Sequence, residues 1–68
     1  MNYFDWSQEY NNTAAELANV IERLKAKRRG LSKVEKKELN IKIAKYKIYY
    51  NECVQIADHL LARHKGAA

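Results

Sequence analysis

Two apolar stripes run along opposite sides of one helix in the second half of this chain, and a two-helix protein can bury only one of them internally. Leu39, Ile43, Tyr46, Tyr50, Cys53, Ala57, Leu60 and His64 recur at alternating steps of four and three, which makes one continuous helical seam. Val34, Ile41, Ala44 and Ile48 follow steps of seven, three and four on the far side. Residues 41 and 43 are separated by roughly 200° of rotation at 3.6 residues per turn, so the two stripes cannot meet the same neighbour. The pattern predicts a chain that assembles with copies of itself or with a partner.

Size points the same way. The 68 residues form a single domain, 1–68, and chains this short lean on disulfides, a metal or oligomerisation for stability. One cysteine forbids an intramolecular disulfide, and no spacing resembles a zinc site, so no metal and no cofactor is expected. Oligomerisation is the remedy left. The absence of proline, with two glycines and abundant Ala, Leu, Ile, Glu and Lys, favours an all-α chain. No apolar run reaches the length of a membrane span, and no positive-then-apolar leader opens the chain. With a lone thiol, the expected location is cytoplasmic and no membrane partner is expected.

Local signals divide the chain into two helices. Asp5 or Ser7 can cap a first helix over about 6–29, with apolar positions Trp6, Tyr10, Ala14, Leu17, Ile21 and Leu24. Lys27, Arg28 and Arg29 suit its C-terminal dipole, and Gly30 reads as a left-handed stop. Ser32-Lys33-Val34-Glu35 is a capping box opening a second helix, about 33–65, with a stop at Gly66. The turn, 30–32, makes an antiparallel two-helix hairpin that self-associates into a helical bundle. Pairing about this turn places residue i near residue 62 − i, so Leu24 would meet Leu39 and Tyr10 would lie near Cys53. Helix two would then be on the order of 50 Å long and helix one roughly 36 Å.

The net charge is +5, but its distribution says more than its sum. Residues 22–47 hold eleven bases against Glu22, Glu35 and Glu38, a local balance of +8. Arg23, Lys27, Arg28, Arg29 and Lys33 are candidate anion contacts at the turn end, since guanidinium and ammonium groups match phosphate. Arg63 and His64 are a second candidate pair at the open end. Trp6 and Tyr49 offer ring faces on which a base could stack. The plainer reading of the charge is a solvated helix end. The plainer reading of Tyr46 and Tyr50, which lie on the seam, is core packing.

Catalytic patterns are missing. Cys53 falls among apolar seam neighbours, as a buried thiol does, and His59 and His64 are too far apart for an i, i+4 ligand pair. There is no Ser/His/Asp, Cys/His, paired-carboxylate or glycine-rich phosphate motif, so an enzyme is not expected. A helix-turn-helix reader needs a third helix, and the basic residues flank a turn where a basic zipper would need one unbroken helix.

Trp6…Tyr10…Ala14…Leu17…Ile21…Leu24 followed by Leu39-x-x-x-Ile43…Tyr50-x-x-Cys53-x-x-x-Ala57-x-x-Leu60 resembles small helical-hairpin proteins of bacterial prophages and integrative elements. That resemblance implies the fold and a mobile-element setting. By analogy with phage counter-defence proteins, it also raises the sequestering of a nucleotide signal between subunits. The reading reached is a homo-oligomeric, non-catalytic hairpin that binds a phosphate-bearing ligand, either a nucleotide or nucleic acid. The alternative is an adaptor or inhibitor that docks a host or phage protein through Val34, Ile41, Ala44 and Ile48.

Overall fold

The computed structural model describes residues 2–67. Two helices, α1 (Tyr3–Ala26) and α2 (Lys33–Ala67), pack against each other as an all-α antiparallel hairpin. The result is a rod of 54 × 14 × 13 Å. Its length is that of α2, about 52 Å at 1.5 Å per residue.

Each helix end is set locally. α1 starts three residues before Trp6, because Asn2 Oδ1 accepts the Asp5 backbone N–H at 2.8 Å. Asn2 is therefore the cap, and Asp5 sits in the first turn, where its charge suits the helix dipole. α1 also stops before Arg29. Ala26 is its last residue, and the Lys27 N–H turns onto the Arg23 and Leu24 carbonyls at 3.3 and 3.1 Å. Gly30, at φ 80°, makes the left-handed turn that a Cβ would strain. The capping box closes as the sequence predicts. Glu35 N–H donates to Ser32 Oγ at 3.2 Å, and Ser32 N–H donates to Glu35 Oε1 at 3.4 Å. Gly66 does not stop α2, which continues to Ala67.

The seam is what holds the helices together. Ile21, Leu24 and Ile43 form its buried centre, with Val20, Leu39, Tyr46 and Tyr50 packed around them. Toward the open end the buried residues become small: Ser7, Ala14 and Ala57. Trp6 is not part of the seam and stays 43% exposed, while Ser7 is fully buried. Alternating steps of three and four, continued back from Leu24, land on Tyr10 and Ser7, and Trp6 lies one helical step to the side.

The register also differs from the expected one. The Phe4 and His64 rings lie 5.7 Å apart, and Arg28 Nη1 donates to Asn40 Oδ1 at 3.4 Å. Residue i therefore lies near residue 68 − i, and the 62 − i pairing is corrected. Ala26 comes level with residue 42, so residues 33–41 project beyond α1 by about 13 Å. Residues 27–32 run alongside this overhang, and Leu31 is half-buried there.

Candidate functional site

The overhang and the returning connection bring the basic residues of the turn end together. Arg23 lies in the last turn of α1, Lys27 caps it, Arg28 and Arg29 sit on the connection, and Lys33, Lys36 and Lys37 lie in the first turns of α2. All are exposed except Arg28, which is half-buried and tethered to Asn40. Few acids answer them. Among the described residues the ion pair here is Glu22–Lys25 at 3.5 Å, between exposed groups whose attraction water largely screens. Glu38 and Lys42, one helical turn apart, do not close to ion-pair distance, and the Glu35 carboxylate is engaged in the cap.

Dipoles sharpen the contrast between the two sides of this tip. Arg23, Lys25 and Lys27 sit at the C-terminus of α1, where cations are stabilised. Lys33, Lys36 and Lys37 sit at the N-terminus of α2, where cations are opposed. Helix capping accounts for the first group and not for the second.

Arg63 and His64 belong to the other end. Thirty residues of α2 separate Lys33 from Arg63, about 45 Å, so the two basic groups cannot hold one phosphate within a chain. His64 tilts against Phe4 at 49°, and both Arg63 and His64 are exposed. Trp6 belongs to this end as well. It borders a depression shared with Glu9, Tyr10 and Thr13, beside a carboxylate rather than a base.

Tyr49 is midway along α2, about 24 Å from Lys33. Its ring meets Tyr46 edge-on at 6.5 Å and 81°, which leaves it 53% exposed. Neither stacking candidate is therefore next to the basic tip. Cys53 is half-buried on the seam. No cluster of three or more His, Cys, Asp or Glu that could hold a metal exists among the described residues.

The second stripe faces outward. Val34, Ile41 and Ile48 are 68%, 53% and 56% exposed, and Ala44 is exposed at the stripe's edge. Tyr49 and Ile56 extend the same face and were not among its expected members. Ile56 follows Ile41 by fifteen residues, close to four whole turns, which is the spacing that could have revealed it. A shallow groove on this face is lined by Glu38, Ile41, Lys42, Lys45, Tyr46 and Tyr49. No described helix is long and apolar enough to cross a membrane.

No family model, curated protein or solved structure matches the chain, and no family membership is shown.

Proposed function

We propose that this protein is a non-catalytic, self-associating helical hairpin whose turn end binds a phosphate-bearing anion, either a nucleotide or the backbone of a nucleic acid. One observation carries the reading: Lys33, Lys36 and Lys37 crowd the N-terminal turns of α2 against its dipole, beside Arg28 and Arg29 and without acid partners. Such an arrangement lowers the stability of the free protein, and a bound anion relieves it. The Arg63–His64 end has no comparable surplus, since Glu52 and Asp58 balance Arg63 and Lys65 in that part of the sequence.

Thermal unfolding with inorganic phosphate, ATP or a short single-stranded oligonucleotide tests this. The expected outcome is a rise in Tm with at least one of them, shrinking as salt is added. Lys36→Ala with Lys37→Ala should raise the Tm of the free protein and reduce the ligand's shift. A double variant that responds as the wild type does would leave the tip a solvated helix end.

The second reading is an adaptor that docks another protein on the outward stripe of α2, and the exposure of Ile41, Ile48 and Tyr49 favours it. Retention of one stoichiometric protein partner without nucleotide would select it.

A further inference from the structure

We infer that the outward stripe of α2 pairs with the same stripe of a second copy, antiparallel, about a two-fold axis between Ile48 and Tyr49. This inference rests on the self-association in the function proposed above and specifies its geometry.

Between Ile41 and Ile56, leaving aside Val34 toward the turn and Ala44 at its edge, the stripe reads Ile41, Lys45, Ile48, Tyr49, Glu52, Ile56, all of them exposed. It is apolar at both ends and in the middle, with one cation and one anion placed symmetrically between. Reversing a second copy about the midpoint sets Ile48 against the partner's Tyr49 and Ile41 against the partner's Ile56. The same operation sets Lys45 against the partner's Glu52, and the symmetry repeats that ion pair. The contact from Ile41 to Ile56 is about 22 Å long, and its midpoint falls near the middle of α2, so the two long helices overlap almost completely. The groove bordered by Ile41, Lys45 and Tyr49 lies where the partner's Ile56 arrives.

Other registers are poorer. A parallel pair puts Lys45 on the partner's Lys45 and Glu52 on the partner's Glu52, and it also brings the two basic tips together. An antiparallel pair slipped by one heptad toward the turn end sets Lys45 on the partner's Lys45 and Glu38 on the partner's Glu52. Between Ile41 and Ile56 the register centred between Ile48 and Tyr49 joins apolar to apolar and cation to anion, and beyond that stretch Val34 comes level with the partner's Arg63. It holds the basic tips at opposite ends, roughly 40 Å apart, so each tip meets its anion separately.

Charge reversal with full-length chains tests this, read by native mass spectrometry and sedimentation, with circular dichroism reporting the helix. Lys45→Glu and Glu52→Lys should each raise the dimer dissociation constant about ten-fold, since each creates two like-charge contacts. The double swap should restore wild-type affinity, and an equimolar mixture of the two single variants should form the heterodimer in preference to either homodimer. A wild-type chain that is monomeric at tens of micromolar would overturn self-association altogether. A wild-type oligomer whose affinity neither single reversal changes would overturn this geometry alone.

Discussion

Ser7 shows how one residue settles the phase of a helix. It is fully buried in the seam, and its Oγ donates to the Phe4 carbonyl at 2.7 Å, so the hydroxyl keeps a partner without leaving the interface. A serine is the right size there because the fully buried positions of the open half are small, Ala14 and Ala57 among them. Ser7→Ala should change stability by less than about 1 kcal/mol, since the bond is local and the volume nearly unchanged. Ser7→Leu should cost roughly 1–3 kcal/mol, because added methylenes have no space in a closed seam. Urea unfolding of the two variants checks the pair, and a Leu variant as stable as the wild type would mean that the helices are not closely packed at this end.

The connection between the helices owes its path to local chemistry. Gly30 supplies the left-handed residue, and the Ser32–Glu35 box satisfies backbone donors at the start of α2. Nothing lies within 4 Å of where a Cβ on Gly30 would sit, so crowding is not the constraint there. Backbone conformation is. Gly30→Ala should therefore destabilise the hairpin by about 1 kcal/mol through the left-handed φ alone. Gly66 is a useful control, because it lies within α2 without a positive φ. Gly66→Ala should be neutral or slightly stabilising in the same thermal melts.

The whole molecule is thinly held. Its buried apolar residues among those described are Ala14, Ile21, Leu24, Ile43 and Ala57, two of them alanines. Burial at that level leaves a small hairpin marginal alone, while Ile41, Ile48 and Tyr49 remain on the surface. Ile41→Glu with Ile48→Glu should yield a monomer that has lost most of its helical signal, although neither residue touches the seam. Sedimentation together with circular dichroism checks this, and a folded, monomeric double variant would show that the hairpin is self-sufficient.

Features under short-range control were legible along the chain. The absence of proline and the period of Leu39 to His64 pointed to a long second helix, and the Ser32 box located its start. α1 ended three residues before the position that Gly30 suggested. The concentration of Lys and Arg around the turn was legible for the same reason: neighbours in sequence are neighbours at a tip. Packing between the helices set the rest. Whether Trp6 or Ser7 enters the seam depends on the phase imposed by all the contacts from Tyr10 to Leu24, and Trp6, the more apolar, lies outside it. The six-residue change in register, and with it the overhang that gathers Arg28, Arg29, Lys33, Lys36 and Lys37, depends on where α1 stops and on side chains meeting across the seam. A helix repeats its face every few residues, so periodicity fixes which residues face the partner helix. It leaves open how far the two helices slide along each other, which only the summed fit of the whole interface can fix.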